Sequence, residues 1–115
     1  MNALWLAFLN SWRGLHHGAR TERAVRQELA LLALGVPVAL LLGSGLWVRV
    51  ALVASLLLML AAEFLNTAVE KLCDHLHPGH DPAIGRVKDL ASAGTFMAQV
   101  TALLVWVAAL IDRLG

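Results

Sequence analysis

The chain has 115 residues, of which 59% are apolar and only 15% charged, with a formal net charge of +1. That composition excludes a disordered chain, and a domain of this size has too little interior to hide so much apolar surface from water, which leaves a lipid bilayer as its natural solvent. The small net charge gives no expectation of a nucleic-acid partner, and a single cysteine, Cys73, excludes an internal disulfide and a cysteine-rich metal site.

The first segment, MNALWLAFLN, lacks the basic start of a signal peptide, and its arginines follow the apolar stretch. Its periodicity is helical. Leu4, Trp5, Phe8, Leu9, Trp12, Leu15 and Ala19 share one arc, opposite Asn10, Arg13, His17 and Arg20. This predicts an amphipathic helix over 1–25 lying in the membrane interface, although the same pattern would suit a helix docked on other protein. Gly14 and Gly18 form a GxxxG outside any span, a weak signal.

Twenty uncharged residues separate Glu28 from Arg49, and 22 separate Asp89 from Asp112. Each run can cross a hydrocarbon core, which needs about 20 helical residues. The run from Val50 to Ala62 has only 13 residues and spans only if its helix continues through Glu63. The turn signal Gly43-Ser44-Gly45 joins the first two spans as a hairpin. The expectation is therefore a single all-α membrane domain over 1–115, with transmembrane helices at 26–43, 46–70 and 89–111 and a loop over 71–88. Arg13, Arg20, Arg23, Arg26, Lys71, Arg86 and Lys88 fall on one side, against Arg49 and Arg113 on the other. The bias places the N-terminus and the 71–88 loop in the cytoplasm.

A helix starting near Leu46 puts Glu63 roughly 26 Å along a core about 30 Å thick, at its cytoplasmic edge. Glu63, Asn66, Glu70 and Asp74 are spaced i, i+3, i+7 and i+11, on one helix face. Glu63 and Glu70 are about 10 Å apart along the axis, too far to chelate one ion unaided but placed to flank a substrate. Ionisable residues beside hydrocarbon are costly and mark functional sites, whereas Glu70 and Asp74 alone would equally suit the trimming of a helix end. Arg86, Lys88 and Asp89 oppose this cluster. Together they make a phosphoryl-transfer set without a P-loop, although Arg86 and Lys88 also read as ordinary positive-inside residues. Ser92, Thr95 and Gln99 share a face with small residues, a pattern of close helix packing that also makes a polar track into the membrane. His75, His77 and His80 are interrupted by Pro78 and Gly79 and read as a solvated loop.

Glu63-Phe-Leu-Asn66-Thr-Ala-Val-Glu70-Lys-Leu-Cys-Asp74 resembles the E-x-x-N-[ST]-A-[IV]-E-x-x-x-D signature of the small prokaryotic diacylglycerol kinase family. Ser11-Trp12-Arg13-Gly14-Leu15, Glu22, Arg26-Gln27-Glu28, Arg49, Gly85-Arg86-x-Lys88-Asp89, Ser92 and Trp106 match without gaps. The resemblance implies a homotrimer in the bacterial inner membrane that uses Mg²⁺ and ATP to phosphorylate the primary hydroxyl of diacylglycerol at the cytoplasmic interface. It implies Glu63 as general base, Glu22 and Glu70 as ligands of the metal, and Glu22, Asn66, Glu70, Lys88 and Asp89 around the nucleotide. It implies lipid contacts at Ser11, Trp12, Ala24, Arg26, Gln27, Glu28, Arg49, Glu63, Ser92 and Trp106. Asn10 and Ala19 stand where the family usually has aromatic residues, and Gly79-His80-Asp81-Pro82 departs from its common pattern. An undecaprenol kinase of the same fold is the alternative substrate reading. A small transporter or structural membrane subunit predicts a carboxylate at mid-membrane and no cytoplasmic Lys-Asp pair, and neither fits.

Overall fold

A computed structural model describes residues 2–115. Four helices account for nearly all of them: α1 (Ala3–Thr21), α2 (Arg23–Leu42), α3 (Leu46–Leu76) and α4 (Pro82–Leu114). The described residues contain no strand, and α2, α3 and α4 are each long and apolar enough to cross a membrane. The fold is all-α, as the long apolar runs lead one to expect.

Each helix boundary has a local cause. Asn2 caps α1, its Oδ1 accepting from the Leu4 N–H at 2.7 Å. α1 ends at Thr21 because Glu22 adopts an extended conformation, and α2 starts one residue later. The expected surface helix of 1–25 is thus shorter, and 23–25 belong to α2. The Arg26 guanidinium folds back onto the carbonyls of Ala19 and Arg20, supplying donors that the end of α1 lacks. α2 continues through Pro37, which leaves the Ala33 carbonyl without its helical donor. Gly43 closes the hairpin: a Cβ there would run into the Arg49 side chain and would stand 3.0 Å from the Ala39 carbonyl.

The connection between α3 and α4 differs from the expected loop over 71–88. α3 runs on to Leu76 and α4 begins at Pro82, leaving only 77–81 non-helical. The physical reason is capping. Asp81 Oδ1 accepts from the N–H groups of Ala83 and Ile84 at 2.8 and 3.2 Å, and Pro82 occupies the first helical position, where its missing N–H costs nothing. At 31 residues α3 is about 46 Å long, well beyond a 30 Å core, so helix continues past the apolar zone.

α3 is the central element, packed against both α2 and α4, while α1 lies on α2. The contacts use small residues that let helices approach closely. Ala39, Leu52 and Ala109 form one buried cluster; Leu56, Met59 and Ala102 form the next. Hydroxyls inside these helices are satisfied by their own backbone: Ser55 donates to the Leu52 carbonyl at 2.8 Å, and Thr101 to the Met97 carbonyl at 2.8 Å. Many large apolar side chains on the outer faces, including Leu34, Leu41, Leu58, Leu65, Leu90 and Leu104, are exposed. Such a surface is compatible with lipid and not with water. At the end of the hairpin the Ser44 hydroxyl donates to Asp112 Oδ2 at 3.0 Å, tying the α2–α3 turn to the end of α4.

Candidate active site

The polar residues of α3 gather where α1 ends and α2 begins. Glu63 and Asn66 are buried, one turn apart, and the Asn66 amide donates to Glu70 Oε1 at 2.9 Å. Glu22, at the break between α1 and α2, is held beside this turn by Lys71, whose Nζ lies 3.3 Å from Glu22 Oε2. Glu63 lies within electrostatic reach of Glu70 and Glu22, and buried Glu28 on α2 lies within reach of Glu63. Glu63 makes no salt bridge among the described residues. The Thr21 hydroxyl and the Lys71 ammonium together hold the Glu22 carboxyl below its ordinary pKa of 4.5.

Glu22, Glu28 and Glu70 thus each lie within electrostatic reach of Glu63, and among the described residues Lys71 is the cation paired with this group, through Glu22. Glu22 and Glu70 are hard oxygen donors that suit Mg²⁺, which typically takes one or two carboxylates and completes its shell with phosphate oxygens and water. Among the described residues no three His, Cys, Asp or Glu side chains converge tightly enough to hold an ion by themselves.

Lys88 is not free. Its Nζ bonds Asp74 Oδ1 at 2.5 Å, joining the start of α4 to the end of α3, and Asp89 beside it is exposed. Ser11 and Trp12 are exposed on α1, and Ala24, Arg26 and Gln27 at the start of α2. Ser92 is exposed on α4. Arg49 stands apart, in the first turns of α3 beside Gly43; it is 14 residues from Glu63, about 21 Å along the helix. Trp106 lies between these levels, on a cavity of about 380 Å³ whose walls are Leu31, Leu34, Val38, Leu56, Met59 and Leu103 with Gln99 towards the polar cluster.

Among the described residues, three buried polar atoms have no hydrogen-bond partner: Glu28 Oε2, Asn66 Oδ1 and Trp106 Nε1. Buried polar groups are nearly always hydrogen-bonded to protein or to ordered water, so these atoms are the unsatisfied polar positions of the bundle. Residue types and spacing single out Asn66, and the resemblance adds Glu28 and Trp106, but neither shows the unsatisfied atoms. The cap at Asp81, missed in the expected 71–88 loop, has a signal in the Asp-Pro pair that opens α4; the role of Arg26 leaves no pattern in the sequence.

Comparison with known proteins decides the family. The family model described as prokaryotic diacylglycerol kinase matches residues 9–110. The chain belongs to this family. Diacylglycerol kinase from Escherichia coli K12 is 33% identical over 105 residues, covering 91% of this chain and 86% of that protein. The Haemophilus influenzae diacylglycerol kinase is 33% identical over 96 residues, 84% of this chain and 81% of that one. The Pseudomonas aeruginosa diacylglycerol kinase is 33% identical over 99 residues, 86% of this chain and 75% of that one.

Proposed function

We propose that this chain is an ATP-dependent lipid kinase that phosphorylates the primary hydroxyl of diacylglycerol to give phosphatidic acid. The observation that carries the reading is the position of Glu63, a buried carboxylate with no salt bridge among the described residues, one turn along α3 from Met59 of the apolar cavity and within electrostatic reach of Glu22 and Glu70. One substrate of such a site is dissolved in lipid and the other in water.

The chain's residues divide the work. Glu63 accepts the proton of the lipid hydroxyl as that oxygen attacks the γ-phosphorus; the new P–O bond forms as the bond to the β-phosphate breaks, and ADP leaves. Glu22 and Glu70 would hold Mg²⁺, which neutralises charge on the phosphates when bound. Asn66 fixes the Glu70 carboxylate through its hydrogen bond. Lys88 and Asp89 contact the nucleotide, Lys88 exchanging Asp74 for phosphate. The acyl part of the lipid lies in the cavity lined by Trp106, with the glycerol end towards Glu28 and Glu63, while Ser11, Trp12, Ala24, Arg26, Gln27, Arg49 and Ser92 complete the lipid contacts. Arg49 lies too far along α3 to meet the same headgroup as Glu63, so its contact is with a distal part of the lipid or with a lipid held by a neighbouring copy.

We further infer a homotrimer in the bacterial inner membrane with its N-terminus in the cytoplasm. The positive-inside count supports the orientation, and the broad apolar outer face of α3 supports association. The reading is tested by presenting purified protein and Mg-ATP with diacylglycerol or undecaprenol in matched bilayers. Faster phosphorylation of diacylglycerol is expected; the reverse preference would make the chain an undecaprenol kinase, and activity on neither would reject the lipid-kinase reading.

A further inference from the structure

Gly18 is the one buried residue of α1. A Cβ built on it would lie 2.6 Å from Phe64 Cε1, 3.3 Å from Phe64 Cζ and 3.4 Å from a methyl of Val25, which is fully buried. The Phe64 ring is therefore seated against bare backbone. Ser11, Gly14 and Leu15, on the same face of α1 as Gly18, border a depression of about 280 Å³ with the same ring. Phe64 directly follows Glu63. Gly18 also accepts the backbone N–H of Glu22 at 2.9 Å, the bond that ends α1.

One contact thus links three parts of the site: Glu63 on α3, Glu22 at the break, and Ser11 and Trp12 on α1. We infer that the Phe64 ring in the Gly18 notch is a positioning pair, setting the approach of α1 to α3 and with it the separation of Glu22 from Glu63 and Glu70. The inference rests on the proposed roles of those three carboxylates. Its physical basis is steric. Any side chain at position 18 must move the ring or the helix, and α1 is an interfacial helix packed mainly on α2, so the helix gives way more easily than the core of α3. Gly14 supplies an internal control, since a Cβ there meets nothing within 4 Å although Gly14 lies on the same face and carries the same helix propensity.

The test compares Gly18→Ala, Gly14→Ala and the double variant Gly18→Ala/Phe64→Leu in full-length protein reconstituted in bilayers. Two readouts are needed. In a Cys73→Ala background, spin labels at exposed Arg13 and His75, diluted with unlabelled chain, report the distance between α1 and α3 without any substrate. Steady-state kinetics report KM for Mg-ATP separately from kcat. Gly18→Ala is expected to lengthen the label distance, to raise KM for Mg-ATP and to lower kcat/KM by about tenfold or more, the scale of a displacement near one ångström. Replacing the ring by leucine restores both, and Gly14→Ala behaves as the unaltered protein. A lesion that merely unfolded part of the population would lower apparent kcat and leave KM unchanged. An unchanged distance in Gly18→Ala, a changed distance with unchanged KM, or a loss that Phe64→Leu does not relieve would each overturn the inference. Lack of kinase activity in the unaltered protein would instead sink the functional reading, and the label distances would still decide whether the notch seats α1.

Discussion

Glu63 shows how far a residue can be read from spacing and where that reading stops. Its place on one helix face with Asn66 and Glu70, late in an apolar run, was visible from the i, i+3, i+7 pattern, because helical geometry alone creates that face. The neighbours arriving from α1 and α2 were not visible, since Glu22 and Glu28 reach Glu63 only through tertiary packing. Glu63→Gln keeps the shape and removes the base. Turnover should fall by a factor on the order of 10²–10⁴ while Mg-ATP binding, followed by equilibrium titration, stays close to that of the unaltered protein. Glu22 carries a different dependence. Its carboxyl is held below 4.5 by Thr21 and Lys71, so the contribution of its charge to stability, and to the cation binding proposed for it, is complete above that value and is lost as pH falls through the lowered one. Mn²⁺ binding measured against pH should therefore show no Glu22-dependent decline until the solution is more acidic than the ordinary carboxylate range. Glu22→Gln should weaken Mn²⁺ binding at neutral pH and remove Glu22's share of the acid limb, leaving the share that belongs to Glu70.

At the scale of elements, the spans were legible because a bilayer demands about 20 apolar residues and the chain supplies such runs. The ends of the helices were less legible, since they depend on individual caps. Hydropathy says where lipid stops and says nothing about where helix stops, which is why 71–76 and 82–88 are helical although polar. Asp81 is the decisive cap of α4. Asp81→Ala should destabilise the start of α4 by about 1 kcal/mol, seen as faster amide exchange at Ala83, Ile84 and Gly85. The same variant should weaken Mg-ATP binding modestly, because Lys88 and Asp89 ride on the second turn of that helix. The His77–Asp81 pair, 3.8 Å apart and half exposed, should add little. α1 was legible as amphipathic from its two arcs, but its docking was not: Gly14 and Gly18 look equivalent in a GxxxG, and only the position of Phe64 distinguishes them.

At the scale of the molecule, the polar cluster and the apolar cavity sit at successive levels of one bundle, and the Ser44–Asp112 bond closes the opposite end. The cavity is bordered by α2, α3 and α4 and lies among side chains that face lipid. On the proposed function, the lipid in this cavity arrives sideways from the membrane, whereas the nucleotide arrives from solution. The effective concentration of the lipid is then a density per area. Adding inert phospholipid at constant amounts of enzyme and diacylglycerol should slow turnover in proportion to the fall in mole fraction, while diluting the same vesicles into more buffer at fixed Mg-ATP should leave the rate per enzyme unchanged. Dependence on bulk volume would contradict lateral entry. With lateral entry through a cavity open to the membrane plane, the proposed kinase would be a gauge of membrane composition, responsive to how crowded its substrate is among other lipids and indifferent to how much membrane there is.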